Sequence, residues 1–485
     1  MLFNSLAFAV FLPIVFFLYW ALPNKYRPIW ILMASYYFYM SWNVKYVVLI
    51  LFTTIVSYGC ALWMERWEKK KTVLLCSALV ASLGVLFFFK YFNFFSLSAA
   101  KVLGRFAIQV HPVTLALMLP VGISFYTFQT LSYVIDVYRG DVKAERNFLT
   151  YAAFISFFPQ LVAGPIERTS NLLPQIKAEH TFKKENATYG LLLMAWGFFK
   201  KLVVADTLAV YADQIFDDVH YYGGFSMLLA ALFFTFQIYC DFSGYSDIAI
   251  GCAKLFDIEL MTNFKSPYFA ISIKDFWSRW HISLSTWFRD YVYIPLGGNR
   301  VSKVRNAFNL MVTFLVSGLW HGAAWHFVVW GGLHGALQVL ENCFPFVRKL
   351  TRRVKENPES ARGPVIWICR GVTFVIAMLA WVFFRAETVS DALYVLVHMW
   401  DGILQPTIYF ARGMADFGME WSDVVSVAIP FVLLMIYDYK SLSGDPIQSL
   451  RKLPGPVRWV VYYAFVFLVL MLASFNAQEF VYFQF

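Results

Sequence analysis

A chain of 485 residues that is 60% hydrophobic, 20% aromatic and only 14% charged excludes a soluble globular fold, and apolar runs near the ~20 residues that cross a bilayer recur from end to end. The formal net charge of +10 does not point to nucleic acid: many Lys and Arg residues sit in short loops beside the runs, as in the cytoplasmic loops of membrane proteins, and no basic recognition helix accompanies them. Six cysteines without CxxC or regular spacing indicate neither a disulfide framework nor a zinc finger, and read as small buried hydrophobes.

These bounds predict an all-α polytopic integral membrane protein, with residues 1–485 forming a single membrane domain. The first run, Leu6 to Leu22, lacks a basic n-region and a small-residue cleavage site, so a retained helix is expected rather than a signal peptide. Further spans are expected near 28–42, 45–64, 73–92 and 114–137. The loops carrying Lys25 and Arg27, and Arg66, Lys69, Lys70 and Lys71, hold the basic excess of a cytoplasmic side, which places the N-terminus outside. Next comes FISFFPQLVAGPIERTSNLLPQI, whose apolar part is short and broken by Pro159, Gly164 and Pro165. It predicts a re-entrant or interfacial segment packed inside protein.

Glu167 and Arg168, at the end of that segment, read either as a solvated pair or as part of a substrate mouth. Spans resume near 187–207 and 223–240, where Lys200 and Lys201 are expected to snorkel to the interface. Asp241 and Asp247 follow beside apolar helix, and suit either a functional lining or structural hydrogen bonding. A charged stretch from Arg348 to Arg362 reads as a cytoplasmic loop, and the last spans are expected near 366–384, 424–437 and 457–474.

Polar chemistry collects between Lys274 and Leu340. From Lys274 to Tyr291, Trp277, Trp280, Leu284, Trp287, Phe288 and Tyr291 recur at three- and four-residue steps among five charged residues. That pattern predicts an amphipathic helix at a membrane interface. His281 lies toward its apolar face, where a histidine is more often a hydrogen-bonded structural residue than a catalyst. YIPLGGNR, Tyr293 to Arg300, breaks the helix, because Pro295 lacks an N–H and Gly297 and Gly298 tolerate tight turns.

An apolar run then reaches Trp320-His321-Gly322, with His326 and His334 close behind. Three readings stand for these histidines. They suit structural hydrogen bonds inside a bundle; they suit metal ligands, although HExxH spacing and a close carboxylate are lacking; and they suit a general base, since a neutral imidazole of reference pKa ~6.5 takes a proton near neutral pH. Gly322 permits close approach of backbone or substrate beside His321.

WHISLSTWFRDYVYIPLGGNR, SGLWHGAAWHFVVWGGLHG and FFPQLVAGPIER resemble the membrane-bound O-acyltransferase family, and within it the bacterial alginate O-acetyltransferase branch. The likeness extends over nearly the whole chain. It implies a helical bundle with a central passage, placed in the bacterial cytoplasmic membrane. It further implies that His321 is the principal catalytic residue and that His281 is the second polar position, orienting the donor or polarising its carbonyl. The donor implied is acetyl-CoA or another cytoplasmic acyl thioester, with no tightly bound cofactor and no metal. Acetyl would pass outward to an envelope exopolysaccharide with the help of an extracytoplasmic acetyltransferase partner, in contact with membrane lipids and without nucleic acid.

The tail FVYFQF reads as an interfacial aromatic anchor. A sharper expectation makes Tyr482 an acyl relay or partner dock, because similar acyl-export systems use tyrosine-ended tails, whereas this chain ends in Phe485. A polysaccharide or small-molecule transporter and an envelope-assembly scaffold are the rival functions. A transporter leads one to expect internal repeats, and none is evident.

Overall fold

The computed structural model describes residues 1–356, 363–474 and 480–481, and these are helical with no strand among them. Six helical segments among the described residues are long and apolar enough to cross a membrane: Val44–Arg66, Glu68–Arg105, Phe225–Leu255, Pro364–Arg385, Trp421–Ser441 and Gly455–Leu472. The described chain forms two compact units. One comprises Met1–Met194 with Ile248–Met261, and the other Ala195–Asp247 with Thr262–Phe485.

The first unit begins with α1 (Leu6–Ala21), α2 (Arg27–Met40) and α3 (Val47–Arg66). Helix α4 (Lys71–Leu86) continues through a π turn into α5 (Phe92–Arg105), so the run predicted over 73–92 is one much longer helix. The span predicted from 114 starts later, at α6 (Ile123–Arg139), after a non-helical stretch. Then come α7 (Phe148–Ser156), α8 (Phe158–Leu161), α9 (Thr169–Lys177) and the start of α10 (Lys184–Phe198).

Every residue from 150 to 167 is buried, which the short, proline-broken segment achieves by passing its polar groups to neighbours. The Phe158 N–H donates to Ser35 Oγ at 3.1 Å, and Gln160 Nε2 donates to Gln129 Oε1 at 2.8 Å. A re-entrant piece of this kind persists only where protein replaces water as the partner. Glu167 is not solvated. Its carboxylate is fully buried, accepting from Asn171 Nδ2 at 2.7 Å and from the Met261 N–H, so it ties the end of this segment to the strand of chain after residue 255.

The second unit is built from the π segment Phe199–Ala205, α11 (Asp206–Phe216), α12 (Phe225–Leu255, up to Asp247), and then α13 (Ile273–Trp277) and α14 (Ile282–Phe288). After these come α15 (Lys303–His321), α16 (Trp325–Asn342), α17 (Pro345–Glu356) and α18 (Pro364–Arg385). It closes with α19 (Val389–His398), α20 (Pro406–Phe417), α21 (Trp421–Ser441), α22 (Pro446–Arg451) and α23 (Gly455–Leu472). Trp280, Trp330 and Trp381 are its largest fully buried side chains, with Trp381 4.8 Å from Trp280 and 5.4 Å from Trp330 between ring centroids.

Lys200 and Lys201 do not reach an interface. Both are buried, Lys200 pairing with Asp247 at 2.6 Å and Lys201 with Asp206 at 2.7 Å and Asp241 at 2.8 Å. The reason is energetic: three carboxylates within reach make internal ion pairs available, and a paired charge costs far less to bury than a lone one. Asp241 and Asp247 are thereby structural partners of the lysines.

Candidate active site

Helices α15 and α16 form an antiparallel pair joined by three residues. A Cβ on Gly318 would strike the Phe327 carbonyl, and one on Gly331 would strike the Phe314 carbonyl. Two glycines facing across the pair therefore let the backbones approach more closely than any larger residue allows. This places the end of α15 deep in the unit. His321 is its last residue and is buried, its ring 4.9 Å from Trp320, 5.1 Å from Trp330 and 5.4 Å from Phe384.

Gly322 ends the helix in extended backbone, and Phe327 occupies the space a side chain there would need. The glycine thus admits a ring of the protein itself. That ring packs 4.9 Å from Phe384 and so backs the wall of His321. Gly322→Ala is expected to displace Phe327 and lower thermal stability by about 1–3 kcal/mol. Gly371→Ala, where a Cβ meets nothing within 4 Å, should be neutral in the same detergent melting measurement.

The continuous amphipathic helix predicted over 274–291 is instead two short helices, α13 and α14, with His281 at the joint. His281 caps α14 in the left-handed region, φ 42° and ψ 54°. For a side chain branched into a ring this conformation costs on the order of 1–2 kcal/mol. Neighbouring chain holds it in place: the Ile282 N–H donates to the Asn263 carbonyl at 2.9 Å, and the Lys265 N–H to the Arg279 carbonyl at 2.9 Å. The kink turns His281 away from any surface, leaving it fully buried rather than interfacial. Burial holds its imidazole well below the ordinary value of 6.5, which keeps it neutral.

Kink and helix end bring the two histidines together. Their ring centroids lie 6.5 Å apart with planes at 63°, and His281 is also 6.0 Å from Trp320. The remaining histidines of the stretch are in structural bonds. His326 Nδ1 meets the Phe383 carbonyl at 3.0 Å, and Trp277 Nε1 donates to His334 Nδ1 at 3.2 Å. Among the described residues, no three His, Cys, Asp or Glu side chains gather as metal ligands.

Three parts of the site carry little signal in the sequence. Asn263, in the loop after α12, meets His281 Nδ1 through Oδ1 at 3.1 Å, and Ser283 Oγ donates to that same oxygen at 2.9 Å. Phe242 packs edge-on to His281 at 4.6 Å. Phe480, buried near the C-terminus, lies 5.8 Å from Phe242 and 5.0 Å from Tyr245, while the Val481 N–H donates to Asp241 Oδ2 at 2.7 Å. Phe480 thus joins the aromatic wall of the site. Tyr482 lies outside the described residues.

The model of the membrane-bound O-acyltransferase family matches residues 31–383. The probable alginate O-acetylase AlgI of Azotobacter vinelandii is 36% identical over 93% of this chain and 88% of its own length. The protein of the same name from Pseudomonas putida is 35% identical over 100% of both chains. The peptidoglycan O-acetyltransferase of Helicobacter pylori is 38% identical, covering 82% of this chain and 80% of its own.

Proposed function

The chain belongs to the membrane-bound O-acyltransferase family, and on that premise we propose that it moves an acetyl group from a cytoplasmic thioester to a hydroxyl of an extracytoplasmic polysaccharide. The observation that carries the chemistry is the meeting of His281 and His321, 6.5 Å apart inside an aromatic enclosure. In the proposed step a ring nitrogen of His321 takes the proton of the acceptor hydroxyl as its oxygen attacks the thioester carbonyl. The new C–O bond forms, the C–S bond breaks, and the proton passes from the imidazolium to the departing thiolate. His281 orients the reactants beside it.

Acetyl-CoA is the donor of choice on chemical grounds, as a soluble acetyl thioester. Names of relatives that act on alginate and peptidoglycan support a polymer acceptor, and an extracytoplasmic acetyltransferase partner would complete delivery to it. The test measures acetyl-thioester consumption and polymer O-acetylation by the membrane-embedded protein, with mass spectrometry of the envelope polymer before and after deletion of the gene. A polymer whose acetyl content is unchanged by deletion would overturn the reading. A transporter would instead move unmodified polymer without consuming thioester.

A further inference from the structure

The hydrogen-bond network behind His281 is sufficient to assign its protons. Asn263 is fully buried, and one end of its amide faces the backbone N–H of Ser283 at 3.3 Å. A backbone N–H only donates, so that end must be the oxygen; the flipped amide would set two donors against each other. The other end, Nδ2, donates to Ser246 Oγ on α12 at 3.1 Å, which agrees with the same orientation. The Oδ1 atom so identified lies 3.1 Å from His281 Nδ1. An amide oxygen has no hydrogen to give, so a lone pair on Nδ1 would face a lone pair on Oδ1. The hydrogen of a neutral imidazole therefore sits on Nδ1.

We infer that Asn263 is a positioning residue that fixes His281 as the Nδ1–H tautomer, so that Nε2 serves the reaction as a hydrogen-bond acceptor for the acceptor hydroxyl. This rests on the function proposed above and alters one part of it. A neutral histidine held this way cannot polarise the thioester carbonyl through Nε2, one of the two roles that the family resemblance implies for it. It instead docks the incoming hydroxyl by its hydrogen; the O–H then turns to His321, which takes that one proton as the oxygen attacks, and the left-handed backbone at residue 281 is the strain accepted to aim Nε2.

Among the described residues, those facing His281 include Phe242 from α12, Asn263 and Phe264 from the loop, Ser283 from α14, and Trp320 and His321 from α15. Of these only His321 has an ionisable side chain, so a charge placed at position 263 acts on His281 most directly. Asn263→Asp keeps an oxygen toward the Ser283 N–H, and the Ser246 hydroxyl can turn to donate to the second oxygen. The added carboxylate favours the imidazolium, whose Nε2 is protonated and no longer accepts. The acid limb of the kcat/KM profile should therefore move up by about 1 pH unit or more, with activity recovering at alkaline pH. Asn263→Leu should lose activity at every pH, with kcat falling more than KM rises. A residue that only supported the fold would show no displaced profile.

The protein labelled with 15N histidine and reconstituted in lipid bilayers gives a readout that requires no variant to fold. The expected spectrum shows His281 protonated at Nδ1 and bare at Nε2. A hydrogen on Nε2, or an Asn263→Asp profile that superimposes on wild type while His281→Ala is inactive, overturns the inference and leaves the proposed reaction standing. Full polymer acetylation by His281→Ala, with the Nδ1–H tautomer observed, overturns the use of His281 in the reaction and leaves the tautomer assignment intact.

Discussion

His321→Ala should reduce polymer acetylation and thioester consumption to below about 1% of wild type, since a positioned general base is worth about 10²–10⁴-fold. The residue ends α15, so its removal breaks no internal helix turn, and the space left is lined by Trp320, Trp330 and Phe384. Packing loss alone should lower yield but not abolish turnover per folded molecule. His321→Gln separates the two effects: it refills most of the space and keeps a polar end, yet has no nitrogen that accepts a proton. Both variants should be inactive while the glutamine variant melts close to wild type. Full activity in either one would remove His321 from the chemistry. His281→Ala is expected to be similarly impaired, and retained acetylation there would reduce His281 to a structural residue.

The second large effect is on stability. Lys201→Met removes the cation shared by Asp206 and Asp241, both of them about 1% exposed. Two buried carboxylates then lack their counter-charge, a change that typically costs about 3–5 kcal/mol. The amount of folded protein recovered from membranes should fall sharply, with a lower melting midpoint in detergent. Adding Asp206→Asn and Asp241→Asn to the same chain should restore much of the loss, because a neutral set of similar volume carries no uncompensated charge. If the single variant melts with the wild type, the ion pairs contribute nothing to the fold. Asp241 also accepts the Val481 N–H, so Lys201→Met is expected to loosen Phe480 and Val481 from the aromatic wall beside His281.

These two predictions draw on very different amounts of sequence information. His321 was legible from its setting: a histidine beside a glycine in an apolar run, within a stretch that resembles a family with a membrane histidine. The lysine pairing is hidden from the sequence because Asp241 and Asp247 lie forty or more residues on, on another helix, with only Asp206 in the same run, and hydropathy along one segment carries no information about charges on its neighbour. A long apolar stem with a charged head suits snorkelling and internal pairing equally well until the neighbours are known. Glu167 is open in the sequence for a related reason, since the Met261 N–H that helps to bury it comes from ninety-four residues on.

The stretch from Lys274 to Tyr291 shows the limit of periodicity. Its three- and four-residue spacing is real, and α13 and α14 are both helical, but no pattern of apolar residues announces the left-handed residue between them. That conformation is imposed from outside by backbone bonds to Asn263 and from Lys265, and it converts an expected surface helix into the buried mount of a histidine.

By itself, then, the sequence determined the solvent, the helical class, the buried segment around Pro159 and the family, because hydrophobic run length, proline placement and long local motifs are properties of contiguous residues. Tertiary structure alone decided which histidines meet, which lysines are paired, and which nitrogen of His281 bears the hydrogen. Each of those depends on atoms brought together from separate parts of the chain, where burial favours donors and acceptors that find partners.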